Sequence, residues 1–315
     1  VGAAITSRVL AEAGFANVSL VAAQADPDPD FPTVPFPNPE EAGALDMAIE
    51  QAREQGADLI IAVDPDADRC ALAVPDPSSE TGWSPLSGDQ TGSLLGEFLA
   101  SRGMRGSLAN SIVSSRLLSR IAHAHGLEHH TTLTGFKWIA RAPGLGFGYE
   151  EAIGFCPDPA HVRDKDGIAT SVVAASLVAA LKAQGRSVWD ELERLARLHG
   201  LHVSSPLTFR VEEIEQIASG MARLRAQPPS VLAGSPVVEV SDLSQGYRGL
   251  PPTDGVLVLT EAGDRVIARP SGTEPKLKCY LEVILPVTEG EPLPWEQAHE
   301  RLDAIKGAFA EIIGL

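Results

Sequence analysis

Leu59-Ile60-Ile61-Ala62-Val63-Asp64-Pro65-Asp66-Ala67-Asp68-Arg69 decides the reading of this 315-residue chain. Leu59–Val63 is an uninterrupted apolar run, the pattern of a strand buried on both faces in a parallel sheet. Three carboxylates then fall within five residues, directly after the strand, where α/β sheets place their ligands. In an extended segment alternate residues stand about 6.6 Å apart, too far to share one Mg²⁺ bound at about 2.1 Å. The loop therefore has to curl, and Pro65 favours the turn. Asp64, Asp66 and Asp68 are candidate metal ligands, with Arg69 beside them; the plain alternative is a solvated acidic turn. A calcium loop of EF-hand type is excluded, because its sixth and twelfth positions, Gly and Glu, are here Arg69 and Pro75. A phosphatase of the haloacid dehalogenase type also opens on D-x-D after a strand, but usually carries Thr or Val where Asp68 stands.

Outward from this segment the chain alternates helix and strand. Ile5, Val9 and Leu10 share a helical face that Gly14 closes, and Val18–Val21 reads as a short strand. After the proline-rich loop Phe31–Glu41, Leu45, Ala48, Ile49 and Ala52 recur at helical spacing up to Gly56. Residues 86–205 repeat the theme. Leu94, Leu95, Phe98 and Leu99 mark one helix, and Leu117, Leu118 and Ile121 another, before Gly126. Asp166 is placed to cap a helix running to Gln184, with Gly185 past its end, and a further helix starts at Ser187. Beyond 206 the pattern changes to strands at Val237–Val240, Val256–Thr260, Arg265–Ala268 and Leu277–Val283, with a closing helix from Trp295 to Ile313. Leu277, Cys279, Leu281 and Val283 alternate with Lys278, Tyr280 and Glu282, a half-buried antiparallel pattern. The expected fold is α/β: two mixed or parallel-sheet α/β domains over 1–85 and 86–205, then a smaller α+β C-terminal domain over 206–315.

Composition narrows the function classes. With 25 basic and 42 acidic side chains the formal charge is −17, which argues against binding a phosphate backbone or an anionic membrane. A hydrophobic fraction of 44% is ample for buried cores and excludes a fully disordered chain. Cys70, Cys156 and Cys279 are too few and scattered for a disulfide framework, so a reducing, cytoplasmic setting is expected. The longest apolar run, Ile168–Leu181, is broken by Thr170, Ser171 and Ser176 and reads as a core helix rather than a membrane span. The first residue is Val1 and no signal segment opens the chain, which suggests a fragment or a processed product.

A second constellation is Arg269-Pro270-Ser271-Gly272-Thr273-Glu274-Pro275, between two expected strands. Arg269 offers a fork of donors, Ser271 and Thr273 offer hydroxyls, Gly272 permits close backbone approach, and Lys278 follows. This fits a phosphate site, although S-G and E-P also suit an ordinary hairpin turn. No Walker motif is present, and Gly144, Gly146 and Gly148 spell G-x-G-x-G, so nucleotide binding has little support. Lys137, in Thr134-Gly135-Phe136-Lys137-Trp138-Ile139, and the pair Glu150-Glu151 are weaker candidates; a snorkelling lysine and exposed strand-edge charges explain them as well. Arg163-Asp164-Lys165-Asp166-Gly167 reads as a helix cap. His123, His125, His129 and His130 lack the i,i+4 spacing of helical metal ligands and are expected in solvent.

Taken in order, these motifs resemble the α-D-phosphohexomutase superfamily of phosphoglucomutases and phosphomannomutases. The resemblance rests on FPTVPFPNPEE (31–41), DPDADR (64–69), SGDQ (87–90), TGFKWI (134–139), YEEAIG (149–154) and RPSGTEPKLKCY (269–280), and covers essentially the whole chain. TGFKWI and DKDG (164–167) look most like the branch with phosphopentomutase-like and glucose-1,6-bisphosphate-synthase-like members. The resemblance implies a phosphoserine enzyme that moves a phosphoryl group between C1 and C6 of a hexose through a sugar 1,6-bisphosphate. It implies Mg²⁺ on Asp64, Asp66 and Asp68, Arg69 beside the transferring phosphate and Lys137 near the reacting centre. Glu150, with Glu151, would bind sugar hydroxyls, and Arg269, Ser271, Gly272, Thr273 and Lys278 would clamp the other phosphate. Two departures stand out. No T-A-S-H-N-P-like serine loop occurs in the 315 residues, so the chain is expected to lack the N-terminal serine domain and to be inactive alone. Ala152 stands where the sugar loop usually has Ser.

Overall fold

The computed structural model describes residues 2–271 and 275–314, which form two compact units. The first runs to Ile112 and takes in Leu118–Leu192. It opens with α1 (Gly2–Glu12), a four-residue turn of helix α2 (Ala22–Ala25) and α3 (Asp46–Gln55), which ends on the left-handed Gly56. Strands β1 (Ile60–Val63), β2 (Cys70–Pro75) and β3 (Trp83–Pro85) follow, then α4 (Gly88–Ser101). A second sheet contains β4 (Ser107–Ser111), β5 (His129–Thr132), β6 (Leu145–Glu150) and β7 (Gly154–Cys156), with α5 (Leu117–Ala124) and the short α6 (Phe136–Ile139) in its connections. Helix α7 (Gly167–Ala183) packs on α1, β1, β2 and β7, and α8 (Val188–His199) follows.

The α/β reading holds, with two local revisions. In the second sheet, order β5-β4-β6-β7, β4 runs parallel to β5 and β6 while β7 is antiparallel. The first sheet, β1-β2-β3, is antiparallel throughout: Val63 faces Cys70, so the acidic loop is the tip of a hairpin. The expected strand Val18–Val21 pairs with no strand. Side chains of α3 take over its bonding: Gln51 donates to the Leu20 carbonyl at 3.2 Å and to Ser19 Oγ at 3.2 Å, and Ser19 donates to Gln55 at 2.5 Å. Leu45, Ala52, Ile60, Ala73 and Trp83 close a core between α3 and this sheet.

Glycines mark where elements approach too closely for a side chain. A Cβ on Gly148 would lie 2.4 Å from Ile139, and one on Gly146 2.5 Å from the Arg105 carbonyl, so these two glycines of the G-x-G-x-G run serve packing, while Gly144 takes a left-handed φ of 60°. Ser87 caps α4 in a reciprocal box with Gln90, and a Cβ on Gly88 would sit 1.9 Å from the Glu151 carbonyl oxygen. Half of the S-G-D-Q motif thus starts a helix, and its glycine lets that helix abut the turn after Glu150.

The second unit contains Val113–Leu117 and the chain from Glu193 onward. Strands β8 (Leu201–Arg210), β9 (Val231–Leu232), β10 (Ser235–Asp242), β11 (Val256–Thr260), β12 (Arg265–Pro270) and β13 (Lys276–Leu285) form an antiparallel sheet of order β8-β13-β12-β11-β10-β9. Helices α9 (Ile214–Ala226) and α10 (Trp295–Ile313) cover one face, burying Leu277, Cys279, Leu281 and Val283 as their alternation requires. On the other face Glu282, fully buried, accepts from Ser115 Oγ (2.8 Å), the Arg116 backbone (2.8 Å) and Arg116 Nε (2.6 Å), and faces Arg265 (3.3 Å) and His202 (3.1 Å). Burial opposes its charge, but Arg265, His202 and Arg116 outweigh it and hold the carboxyl well below its usual range. Among the described residues no single helix is long and apolar enough to cross a membrane.

The glycine contacts yield a paired prediction. Gly88→Ala drives a methyl into unyielding backbone and should destabilise the chain by about 2–3 kcal/mol in urea unfolding. Gly307→Ala, in the exposed middle of α10 with no atom within 4 Å of the new carbon, should instead stabilise it by up to about 1 kcal/mol. Equal effects of the two substitutions would contradict the packing described.

Candidate active site

The β1–β2 hairpin tip supplies the curl that three carboxylates need. The Ala67 amide donates to the Asp64 carbonyl at 3.0 Å, and Ala67 takes a left-handed φ of 63°, which reverses the chain between Asp66 and Asp68. Asp64, Asp66 and Asp68 each offer an oxygen within 4.8 Å of the others. Ligands of an octahedral ion held at about 2.1 Å stand about 3 to 4.2 Å apart, a spacing that three oxygens within 4.8 Å of one another approach. The all-carboxylate donor set is that of a hard divalent cation.

Neighbouring groups set the charges. Asp64 is buried, and its two oxygens accept from the Arg69 amide (3.0 Å) and Arg69 Nε (2.7 Å). Burial raises its pKa, but the bonds from Arg69 prevail and hold it below the ordinary value. Asp66 shifts the other way, through partial desolvation and the charges of Asp64 and Asp68. Asp68 accepts an ion pair from Lys165 Nζ at 2.8 Å.

Packing holds this loop from two sides. A Cβ on Gly167, at the start of α7, would lie 2.6 Å from the Arg69 carbonyl and 2.7 Å from that of Ala67; the Gly167 amide donates to the latter at 3.1 Å. Asp166 caps the same helix by accepting from the Ala169 amide at 2.9 Å, as its position suggested. From the other side the β6–β7 turn abuts the hairpin, with the Cys70 amide donating to the Ile153 carbonyl (3.0 Å) and Arg69 bridged to Gly154.

That turn brings in Glu150 and Glu151. Glu150, at the end of β6, is half-buried; burial first, then the charge of Glu151, pushes its carboxyl up to about 7. Glu151 accepts from Ser111 Oγ at 3.0 Å. Both therefore face structured surroundings and not the open sheet edge that was the plainer reading. Lys165, expected only as part of a helix cap, lies among Asp68, Asp164 and Glu150, with Nζ 5.6 Å from the centre of the Phe136 ring. Gly154 opens the space it occupies, since a Cβ there would meet Lys165 Cδ at 2.5 Å. Lys137 is exposed next to Phe136, without an ion pair to any described residue. Three of the histidines differ from the solvent-exposed expectation: half-buried His125 pairs with Glu97 at 2.9 Å, half-buried His129 bonds Asn110 at 3.0 Å, and half-buried His130 lies 3.7 Å from Glu128.

In the second unit Arg269 and Lys278 face each other across β12 and β13, and the Ser271 amide donates to the Lys276 carbonyl at 2.8 Å, closing the hairpin. Gly272 and Thr273, expected to complete the phosphate loop, lie outside the described residues.

Three family descriptions match in order along the chain. Residues 1–78 match phosphoglucomutase/phosphomannomutase alpha/beta/alpha domain II, residues 87–198 its domain III, and residues 208–284 its C-terminal domain. The chain belongs to the phosphoglucomutase/phosphomannomutase family. It is 45% identical over 284 residues to a Haemophilus influenzae protein named "Probable phosphomannomutase", covering 90% of this chain and 58% of that one. It is 36% identical to the phosphoglucomutase of Staphylococcus haemolyticus (90% and 55% covered) and 33% identical to the phosphopentomutase of Mus musculus (94% and 53%). Its fold is that of a phosphoglucomutase/phosphomannomutase family protein of Burkholderia thailandensis, with TM-score 0.68 and 18% identity, covering 99% of this chain and 58% of that one. The phosphoglucomutase pp63/parafusin of Paramecium aligns at TM-score 0.65 and 20% identity, with 92% and 53% covered. The chain thus spans little more than half the length of these relatives.

Glu150 gives this family member a pH signature. A carboxyl raised towards 7 keeps its proton in the folded state over a range where the unfolded chain, near 4.5, has released it. Its contribution to stability is therefore complete below about 4.5 and lost as pH rises through about 7. With divalent metal absent, stability in urea should fall between pH 5 and pH 8 by about 1–3 kcal/mol more in the wild type than in Glu150→Gln. Identical pH profiles would contradict the burial described for Glu150.

Proposed function

We propose that these three domains belong to a Mg²⁺-dependent phosphosugar mutase, which moves a phosphoryl group between C1 and C6 of a hexose through an enzyme phosphoserine and a sugar 1,6-bisphosphate. The observation that carries this reading is the convergence of Asp64, Asp66 and Asp68 within 4.8 Å beside Arg69. On this proposal the three carboxylates hold Mg²⁺, which neutralises charge on the transferring phosphoryl oxygens. Arg69, fixed by Asp64, points positive charge at the same place, and Lys137 approaches the reacting centre. Glu150 and Glu151 accept from sugar hydroxyls, the former most strongly once ionised. Arg269, Ser271, Gly272, Thr273 and Lys278 hold the phosphate that is not transferred. In such reactions positioning and charge neutralisation supply most of the acceleration.

The proposal keeps the divisions at about residues 85 and 205 and a cytoplasmic setting, the latter supported by three buried, unbridged cysteines. It assigns the phosphoserine to a loop outside these 315 residues, so the chain by itself binds substrate without completing the cycle. A pentose phosphate is the second substrate reading, supported by the phosphopentomutase relative and by Ala152 at the place of a hydroxyl-bearing residue.

The test is calorimetric titration of the 315-residue chain with glucose 1-phosphate, mannose 1-phosphate and ribose 1-phosphate, with and without Mg²⁺, alongside assays of interconversion and phosphate release. One sugar phosphate should bind, with affinity reduced about 10- to 100-fold by Arg269→Gln, and no turnover should be seen. Turnover by this chain would contradict the serine assignment. Phosphate release would favour a phosphatase, and absence of binding to all three would contradict the site.

A further inference from the structure

An open groove follows the free edge of β1 in the first unit. β1 ends its sheet: it pairs with β2, and beyond that pairing no backbone group of Ile60–Val63 bonds a described residue. Val18–Val21 lines the same groove, and of its backbone groups only the Leu20 and Val21 carbonyls are bonded to described residues. The groove has a volume of about 710 Å³. Thr6 and Leu10 of α1 and Ala175 and Val178 of α7 form part of its wall, and Ala48 and Ala52 of α3 another part.

These walls stand on opposite faces of β1. Ile60 and Ala73 pack with Ala52 on the α3 side, whereas Val63 lies against Gly2 of α1 and its cross-strand partner Cys70 lies 3.8 Å from Ser171 of α7. A strand covered on both faces is expected to be buried throughout, yet Ile61, Ala62 and Val63 are only half-buried and Leu20 is 43% exposed. Thr6, 8% exposed, has a buried hydroxyl with no partner among the described residues. A bare apolar edge, without a charge or proline of its own, is a template for a further strand. With helices on both sides, the groove admits one extended segment and not a folded domain.

The position of α1 selects the occupant. A Cβ on Gly2 would lie 2.9 Å from Val63 Cγ2 and 2.6 Å from Ala67 Cβ, so α1 begins at the end of β1 that leads into the acidic loop. An extended segment joined to Gly2 would end at that point and run through the groove parallel to β1. Residues 2–17 would then be the crossover of a dozen or more residues that parallel strands require, returning the chain to Val18–Val21. The chain spans 58% of the Haemophilus influenzae relative, whose length leaves ample room for such a segment. We infer that the groove seats a β-strand of the same polypeptide, lying immediately ahead of residue 1 and apolar on both faces because helices cover both. The inserted strand separates Val18–Val21 from β1, pairs with the backbone of each and removes the exposed edge. The inference is independent of the chemistry proposed for the acidic loop.

The experiment is hydrogen exchange read at the amides of Ile60–Val63. It compares the 315-residue chain, the full-length polypeptide, and the chain extended directly ahead of residue 1 by Val-Val-Ile-Val-Ala or by Val-Val-Pro-Val-Ala. The β1 amides that are not bonded to β2 should exchange about 100-fold more slowly in the full-length polypeptide and with the first extension than in the 315-residue chain. The second extension, whose proline cannot donate to the ladder, should slow them less than about 10-fold. Equal exchange with the two extensions, or unchanged exchange in the full-length polypeptide, would overturn the inference. Protection in the unextended chain that grows with its own concentration would also overturn it, by assigning the groove to a second copy.

Discussion

Mutual repulsion among Asp64, Asp66 and Asp68 is the constraint around which the first unit is organised. Nothing within the hairpin tip would keep three carboxylates within 4.8 Å of one another unless cations and packing opposed their separation. Arg69 supplies two bonds to Asp64 and Lys165 one ion pair to Asp68, and the carbonyls of Ala67 and Arg69 are pressed against the glycine that opens α7. Asp66, the exposed member, has no cation partner among the described residues and feels the other two charges. The site is therefore preorganised but incompletely neutralised, which is the condition under which a divalent ion gains most from binding.

The same logic links the two sheets of that unit. The hairpin tip and the β6–β7 turn meet through the Cys70–Ile153 hydrogen bond, and α4 meets the far side of the turn through Gly88. Glu150 is consequently held close enough to Lys165, Asp68 and Arg69 for their charges to influence its titration. A candidate metal loop and a candidate sugar loop separated by about 85 residues in sequence thus form one electrostatic neighbourhood.

Residue patterns revealed what depends on local periodicity and local charge. The Asp64–Arg69 loop, the Asp166 cap and the alternation along β13 were all legible, because each is written in neighbouring residues. Val18–Val21 was misjudged: its residues have strand character, but strand formation needs a backbone partner, and Gln51 satisfied the Leu20 carbonyl instead. The antiparallel hairpin was missed because an apolar run reports neither the direction of its neighbour nor its burial: the partner of Ile60–Val63 runs antiparallel, and only Ile60 of the four is buried, the rest being half-buried. Lys165 could not be singled out from 163–167, because its role depends on the space at Gly154, eleven residues away. Glu150 and Glu151 were ambiguous for the same reason.

The central claim is that the hairpin tip is a built divalent-cation site. Its most direct test is electron paramagnetic resonance of Mn²⁺ titrated into the chain, with Mg²⁺ as competitor. The account predicts one Mn²⁺ bound per chain, displaced by Mg²⁺ and lost in Asp66→Asn, a substitution at an exposed side chain. Free-ion signal throughout the titration, or binding that survives Asp66→Asn unchanged, would contradict it.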